Sequence, residues 1–582
     1  MSPSDRLTIA HVTPYPWGEH HEVNSFVAGA ATELASRGHR VLIAAPGGSR
    51  ADIRRSTSAV AAARERDSAV LGTGWDGMRA DQGGPPVISV GQAIPLPAAG
   101  RPRPAPVPLD IARSLENLLG AVDFDVVHVH DPYAPSVSSA ALRHSTTLNA
   151  ATFHLPTERI LSTQVARPIV EIFFGRLDAR MVSSRTTGEL LGRFFPGRYD
   201  VVEPAAEVDA QAPAPGSPPR IVYCAREERG ALRLFLRALR RLPLDLDWEA
   251  DVWIEDAAVV TPRLNRALRE RVRVLRPSDV SAEDLIGGAA VVCAASGGPR
   301  PAPSLLRAAF AAGAVPIAAQ IDPYVELLDA DGPERGFLFP QGDAETLAGQ
   351  IERLLRSEPL RKTMARAGRS AVRSYADVAG ELEGVYSRIV ARRHDPRGNP
   401  EVRRRISRRR TIDCDLHMHT DHSGDCATPV EVLLETAKDR GMGAIAITDH
   451  NEISGALAAR ESAERYGGIK VIVGEEVKTA EQGEVIGLFV EERIAKGMTM
   501  AETIAEIRRQ GGLVYVPHPF DRLHSVPDYE HLLDIVEEID ILEVFNPRVA
   551  FSAFNEEAER FASKYRIVPG AGSDGHVAQA LG

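Results

Sequence analysis

The chain alternates short apolar runs with segments of helix length, and this alternation constrains its fold most. The run LTIAHV opens the pattern at Leu7, an amphipathic segment follows, and VLIAA comes next. Gly38 stands where a helix commonly ends before the next strand. A helix between two apolar runs is the usual connection between parallel strands. The pattern therefore predicts an α/β protein with parallel sheets.

Changes in composition divide this alternation into three stretches. A length of 582 residues predicts three to four domains. We expect one Rossmann-like domain over 1–212 and a second over 213–390, beginning at a Pro-rich segment. An Arg-rich linker over 391–410 precedes a third α/β unit over 411–582, in which seven strand-like runs indicate a barrel. Within the first domain, Gly47–Pro108 is predicted to be an irregular insertion.

The composition excludes several classes of protein. The 68 basic and 79 acidic residues give a net charge of −11, which argues against a protein that mainly coats nucleic acid or anionic membrane. We see no transmembrane segment and no secretion signal, and the four cysteines show no paired framework. We therefore expect a cytoplasmic protein.

The linker 391–410 contains nine arginines together with proline and glycine. Such a segment cannot bury a face, so we expect it to remain solvated. The alternative is a tether that binds nucleic acid or anionic lipid.

Nine histidines and acids of the last third lie close to the ends of predicted strands. His417 and His419 form an H-x-H pair, and the period of two along a strand sends both imidazoles to the same side. Imidazoles and carboxylates are ligands of Zn, Mn or Fe. We expect a shared metal site formed by His417, His419, Asp425, His450, Glu476, Glu484, His518, Asp574 and His576.

These residues resemble the motifs of the polymerase and histidinol phosphatase (PHP) family over about Thr411–Gly582. The motifs are H-x-H, a TDH turn, G-x-E, a lone later histidine and a final SD-x-H. The resemblance implies a distorted (β/α)7 barrel that holds three divalent ions, Zn, Mn or Fe, with Mg as a further candidate. Glu484 departs from the family pattern, since many members have a histidine there. No helix-length segment follows the last predicted strand, so we expect a truncated or unusually closed barrel.

Several cations at one rim can clamp the oxygens of a phosphomonoester and activate a water molecule. We therefore predict a metal-dependent phosphoesterase acting on a nucleotide or sugar phosphate. Glu476, Asp574 and His576 are the predicted catalytic residues, and Arg548 is predicted to orient the phosphate. The alternative for Arg548 is a strand cap that pairs with a surface acid. Asp415 and Asp449 are predicted to accept hydrogen bonds from ligand imidazoles.

The first two thirds carry a second set of motifs, namely HVTPYPWG, VVHVHDPYAPS, ATFHLP and MVSS. Over about Leu7–Tyr386 they resemble nucleotide-sugar glycosyltransferases of the two-Rossmann (GT-B) class, and among these the phosphatidylinositol mannosyltransferase-like members. The resemblance implies a cleft for a nucleotide sugar, with Arg226 at the diphosphate and with His130 and His154 nearby.

Other residues of that chemistry are replaced. Gly230 stands near the position of the expected lysine, and Arg300 and Ala308 stand where two glutamates belong. We therefore favour a degenerate transferase-like module fused to a phosphoesterase. Two alternatives are an active glycosyltransferase with an accessory PHP domain, and a non-catalytic scaffold that binds glycan, lipid or RNA and whose metals are structural.

Overall fold

A computed structural model gives the protein two compact units. The first comprises 1–144, 150–173 and 179–385, and the second comprises 145–149, 174–178 and 386–582. The structure describes residues 6–17, 21–65, 78–79, 83–92, 109–133, 136–154, 174–211, 217–243, 245–255, 264, 266–329, 332–395, 400–480, 483–521, 526–527 and 529–581.

The first sheet has eight strands in the order β3-β4-β2-β1-β5-β6-β7-β8. Its strands are β1 Thr8–Val12, β2 Arg40–Gly47, β3 Met78–Arg79, β4 Pro86–Gln92, β5 Val126–His130, β6 Leu148–Phe153, β7 Ala179–Val182 and β8 Asp200–Val201. Its helices are Glu22–Ser36, Arg50–Ala63, Leu109–Ala121, Val137–His144 and Arg185–Phe194. The central strands β2, β1 and β5 pair in parallel. This order is that of the doubly wound sheet that the sequence predicts.

The prediction that Gly47–Pro108 is an irregular insertion is wrong for the part that the structure describes. Helix Arg50–Ala63 buries Ala59, Val60 and Ala63, and β4 pairs in parallel with β2. The helix packs through small side chains, so its apolar face was not evident in an Ala- and Arg-rich sequence. Residues 66–77, 80–82 and 93–108 of the insertion lie outside the described part.

Four buried histidines, called here the histidine cluster, lie on neighbouring strands of this sheet: His11, His128, His130 and His154. Nδ1 of His11 lies 3.1 Å from Nε2 of His130, and Nδ1 of His130 lies 3.1 Å from Nε2 of His154. Burial lowers the pKa of His11 and of His154 to about 3. The folded protein thus holds these imidazoles in the neutral form.

The second sheet has six strands in the order β11-β10-β9-β12-β13-β14. Its strands are β9 Arg220–Cys224, β10 Glu249–Trp253, β11 Val272–Leu275, β12 Val291–Ala294, β13 Val315–Ala319 and β14 Phe337–Phe339. The helices of this region are Arg229–Leu239, Arg266–Arg269, Ala282–Gly287, Pro303–Ala312, Asp322–Leu328, Ala344–Arg356, Glu358–Ser370 and Tyr375–Ala391. Apolar clusters cover both faces, so this is a second Rossmann-like layer structure.

The third sheet has seven strands in sequence order. They are β15 Cys414–Asp415, β16 Ala444–Ile447, β17 Lys470–Lys478, β18 Glu484–Leu488, β19 Leu513–Val516, β20 Ile541–Phe545 and β21 Val568–Ala571. The helices are Pro400–Ile406, Val430–Asp439, Ser454–Ser462, Met500–Arg509, Tyr529–Asp534 and Ser552–Tyr565, with 3-10 turns at Ala463–Tyr466, Val536–Glu538 and Ala578–Ala580.

This sheet curls into a nearly closed barrel. A parallel bridge joins Met418 to Gly575, and the N–H of Leu416 donates to the carbonyl of Ala571 at 3.2 Å, so the first and last strands meet. Strand β18 runs antiparallel to both β17 and β19, which is the distortion in the predicted seven-stranded barrel. Leu581 is fully buried in the barrel core and follows the last 3-10 turn. The predicted fold class is confirmed in all three sheets.

Among the described helices, none combines the length and the apolar character that crossing a bilayer requires.

Candidate metal centre

The H-x-H pair begins the site at the end of β15. The side chains of His417 and His419 are fully buried, whereas Met418 between them packs in the apolar core with Val430 and Leu433. The alternation along an extended segment thus separates the core side from the imidazole side, as the sequence predicts. Gly572 permits the close approach of the last strand, because a Cβ there would lie 2.3 Å from the Cβ of His417.

Glu476 lies at the middle of the candidate centre. Its Oε2 is 3.3 Å from Nε2 of His417, 3.4 Å from Nε2 of His419 and 3.2 Å from Nδ1 of His450. Its Oε1 is 3.5 Å from Nε2 of His518. One buried carboxylate therefore faces four imidazoles.

The remaining predicted ligands surround this middle. Oδ1 of Asp574 lies 3.4 Å from Nε2 of His419, and Oδ2 of Asp425 lies 2.9 Å from Nε2 of His576. Oε1 of Glu484 lies 3.9 Å from Nδ1 of His450. The structure thus brings together all nine residues that the sequence singled out.

Two of the nine residues have backbone angles that side chains rarely adopt. His518 has φ of 29° and Asp574 has φ of 49°. Such conformations cost about 1–3 kcal/mol each and persist where the surroundings fix them. The N–H of Asp574 donates to the carbonyl of His417 at 2.7 Å, and the N–H of His518 donates to Oε2 of Glu543 at 2.8 Å. Both backbones are therefore held by other parts of the same centre.

Burial and charge oppose each other at the centre. Burial alone lowers the pKa of His417, but the Glu476 and Glu543 carboxylates outweigh it and raise that pKa well above its ordinary value. Burial alone raises the pKa of Glu476, yet His417 and His518 hold it well below its ordinary value. The central carboxylate is therefore ionised, which is the form that binds cations.

Sequence reasoning missed one residue of this centre, Glu543. It is fully buried on β20, and its Oε1 faces Nδ1 of His417 at 3.0 Å and accepts a hydrogen bond from the hydroxyl of Tyr515 at 2.8 Å. The signal was an acid inside the apolar run DILEVF. The orientation of the His417 ring is thus fixed by Glu543.

The predicted imidazole acceptors Asp415 and Asp449 accept hydrogen bonds from backbone and hydroxyl donors in the contacts that the structure gives, and their role toward the imidazoles stays a prediction. Asp415 accepts from the backbone N–H groups of His417 and Ser573, and Asp449 accepts from the N–H and hydroxyl of Thr420. Asp415 is the last residue of β15 and Asp449 follows β16, and each carboxylate accepts from the backbone of another segment of the barrel, Ser573 or Thr420.

Replacing Glu543 by glutamine should lower metal affinity about ten- to a hundredfold, because the carboxylate that orients His417 is lost. Metal content after dialysis against graded chelator measures this. Tyr515→Phe, which removes only one donor to Glu543, is the matched control and should lose less affinity. Unchanged metal retention in Glu543→Gln would contradict the orienting role.

Arg548 lies at the mouth of the centre. Its guanidinium donates to the carbonyl oxygen of Asp574 at 2.9 Å and contacts the ring of His576. The amide of Asn546 donates to Oε2 of Glu543 at 3.0 Å and to Oδ2 of Asp574 at 3.3 Å. Arg548 is half exposed and close to the candidate ligands, a position from which it can reach a bound anion.

The donor set fits divalent cations. Nε2 of His417 and Nε2 of His419 lie 3.3 Å apart, and Oε1 of Glu476 accepts no hydrogen bond from the described residues. Four groups of three side chains in this centre each bring their ligand atoms within 4.8 Å of one another. Ring nitrogens and carboxylate oxygens in such proximity are the ligands of Zn, Mn or Fe.

The first unit contains a cavity of about 540 Å³. Arg226 and His154 line it, as the sequence predicts, whereas His130 lies in the histidine cluster and is absent from the described lining. Arg226 contacts Glu283 at 3.4 Å and lies over the ring of Trp253. Arg226 thus lines the cavity, and its role at a diphosphate stays a prediction.

Arg300 and Ala308 also line this cavity. The positions predicted for two sugar-binding glutamates thus carry a cation and a methyl group.

Two carboxylates accept hydrogen bonds from backbone N–H groups in the turn after β12. Glu227 accepts from the N–H groups of Ala295 and Ser296 at 2.7 and 2.9 Å, and Glu228 accepts from the N–H of Gly297 at 2.6 Å. Burial raises the pKa of Glu227 to about 7. Backbone N–H groups of such turns are donors suited to phosphate, and here the chain's own acids bind them.

Residues 415–581 match the PHP domain, and residues 23–210 match Glycosyltransferase Family 4. A protein of Methanocaldococcus jannaschii is 38% identical over 147 residues, which are 23% of this chain and 82% of that protein. Phosphatidyl-myo-inositol mannosyltransferase of Mycobacterium leprae is 31% identical over 323 residues, 52% of this chain and 84% of the enzyme.

Among solved structures, sucrose-phosphate synthase of Thermosynechococcus elongatus is 16% identical, with a TM-score of 0.48, and covers 66% of this chain and 100% of that chain. The family assignment rests on the sequence matches and on the motifs at the barrel rim. The chain belongs to the PHP domain family through its last third and to Glycosyltransferase Family 4 through its amino-terminal region.

Proposed function

We propose that residues 411–582 hydrolyse a phosphomonoester by means of divalent cations, with a nucleotide or a sugar phosphate as substrate. The observation that carries this proposal is the carboxylate of Glu476, which faces four imidazoles at 3.2–3.5 Å. The nine side chains at the barrel rim would hold Zn, Mn or Fe, with Mg as a further candidate. Such ions, when bound, polarise phosphoryl oxygens and lower the pKa of a coordinated water.

The protein's own side chains divide the remaining tasks. The negative charge of Glu476 lies among the histidines of the centre. Asp574 adds a second carboxylate beside His419. His576 lies at the mouth, where Asp425 orients its Nε2. As one of the nine side chains at the rim, this imidazole would hold a cation at the mouth.

Arg548→Ala should reduce kcat/KM for the phosphomonoester about a hundredfold, because a charged donor to the phosphate is lost. Arg548→Lys keeps the positive charge and should recover part of that loss. Steady-state kinetics of both variants measure this, and equal kcat/KM for Arg548→Ala and the unaltered protein would remove Arg548 from the mechanism.

The direct test is metal analysis of the purified protein together with a phosphomonoester hydrolysis assay. We expect activity that chelator removes and divalent metal restores, and its loss in His417→Ala and Asp574→Ala. Activity in both variants equal to that of the unaltered protein would refute the proposal. Metal bound without any hydrolysis of nucleotides or sugar phosphates would favour the scaffold alternative, in which the metals are structural.

For residues 1–390 we propose a degenerate transferase-like module. Arg300 and Ala308 in the cavity, and the carboxylates of Glu227 and Glu228 on the N–H groups after β12, support it. Sugar release from a nucleotide sugar should not exceed that of an Arg226→Gln control. Transfer that depends on Arg226 would instead favour the active-glycosyltransferase alternative.

A further inference from the structure

The segment 400–413 is strongly basic and takes no part in either site described above. It holds six arginines against two acids, Glu401 and Asp413. Helix Pro400–Ile406 forms its first half. Every side chain described from Arg404 to Asp413 is exposed, so the charge is presented to solvent.

Most of these cations have no ion pair with the residues that the structure describes. Among the described residues, Arg405, Arg408, Arg409 and Arg410 form no ion pair. Four unpaired guanidinium groups within six positions repel one another and favour an anionic partner.

Two large apolar side chains accompany the arginines. Ile406 is 57% exposed and Ile412 is 52% exposed. Cations interleaved with exposed aliphatic side chains suit the boundary between lipid headgroups and acyl chains. Residues 391–412 contain no Phe, Tyr or Trp, so the segment lacks the aromatic rings on which single-stranded nucleic acids stack.

We propose that the segment Arg404–Ile412 binds an anionic lipid surface, with the arginines on the headgroups and the two isoleucines entering the interface. The helix has only seven residues and is too short to span a bilayer. The proposed contact is therefore a basic segment that lies on the membrane surface.

Co-sedimentation of the full chain with vesicles tests this, using phosphatidylcholine alone and phosphatidylcholine with about a third phosphatidylglycerol. We expect binding only to the anionic vesicles, and less of it as salt is added. Arg405→Gln/Arg408→Gln/Arg409→Gln should reduce partitioning on the order of a hundredfold.

Two further variants separate charge from apolar contact. The matched control removes three exposed arginines of helix Arg229–Leu239 and its cap, Arg233→Gln/Arg237→Gln/Arg240→Gln, and should change partitioning less than about twofold. Ile406→Ser should weaken binding several-fold without changing its salt dependence, because only apolar area is lost.

The proposal is overturned if the unaltered chain does not bind the anionic vesicles, or if the arginine variant binds them as well as the unaltered chain. Binding to a single-stranded RNA that is tighter than binding to the vesicles, and is lost in the arginine variant, would also overturn it. The segment would then be interpreted as a site that binds nucleic acid. All these substitutions are at the surface, and an unchanged far-UV circular dichroism spectrum of each variant confirms that it is folded.

Discussion

Glu476→Gln should reduce phosphomonoester hydrolysis on the order of a thousandfold, the equivalent of several kcal/mol of transition-state stabilisation. The substitution keeps the size of the side chain and removes the one charge that four imidazoles share. Metal content should fall with activity, because the remaining neutral amide is a poor ligand. Single-turnover kinetics and metal analysis of the same preparation measure both effects.

The adjacent Glu475 provides the control. It is also fully buried, but it accepts a hydrogen bond from the N–H of Ile494 and makes no contact with the described histidines of the centre. Burial raises its pKa to about 7, so about half of this carboxyl is protonated at neutral pH, and Glu475→Gln resembles that protonated form. Activity near that of the unaltered protein is expected. Equal losses in the two variants would show that activity depends on the strand rather than on the ligand.

Acidification should destabilise the first unit through its histidine cluster. The pKa of His11 is about 3 in the folded protein, against an ordinary value of 6.5. Above pH 6.5 neither state binds the proton, so the free energy of unfolding is unaffected by this group. Below that pH the unfolded chain binds it and the folded chain does not, so stability falls between about pH 6.5 and 3.

The size of the effect follows from the shift. One histidine contributes about 1.4 kcal/mol for each pH unit below 6.5, hence roughly 2 kcal/mol at about pH 5. His154 has the same pKa, and burial also holds the pKa of His128 and of His130 well below the ordinary value. Glu227 and Asp131 of the same unit act in the opposite direction, because burial raises their pKa values to about 7 and about 6 and so favours the folded state as pH falls toward their ordinary values of 4.5 and 3.8. The four histidines should therefore make acid unfolding of this unit steepest below about pH 4.5.

Urea unfolding followed by tryptophan fluorescence at several pH values measures this. The described tryptophans, Trp17, Trp248 and Trp253, belong to the first unit, and the sequence has no tryptophan after Trp253, so the signal does not report on the barrel. His11→Gln should flatten the pH dependence by about one proton, whereas Arg240→Gln, which replaces an exposed cation that does not titrate in this pH range, should leave it unchanged. An unaltered slope in His11→Gln would mean that the cluster is protonated in the folded state.

The architecture of this chain was predictable because it depends on local patterns. Apolar runs bounded by turns identified seven strands in the barrel, and the ligand series followed from their ends. The position of Glu484 was not predictable in this way. Glu484 lies at the rim because it begins β18, which runs antiparallel to its neighbour β17. The domain limits and the chemical role of each ligand stay predictions.

Contacts between distant residues were not predictable. Glu543 lies 126 positions from His417, and Glu227 lies 68 positions from Ala295. Neither partner carries a local mark of the other, since only the folded backbone brings them together. Asp415 and Asp449 show the same limit, because their positions beside ligands in sequence did not reveal the distant backbone donors from which they accept.

The reversed strand β18 has a consequence for how this centre can vary. Glu476 and Glu484 stand on the two arms of one hairpin, and the pairing of Lys478 with Glu484 fixes their spacing. A change in the length of the connecting turn would move Glu484 relative to Glu476. The six parallel strands of the barrel would stay in place. We therefore expect that substitutions confined to this hairpin would alter which ion the centre prefers, while the other strands of the barrel stay unchanged.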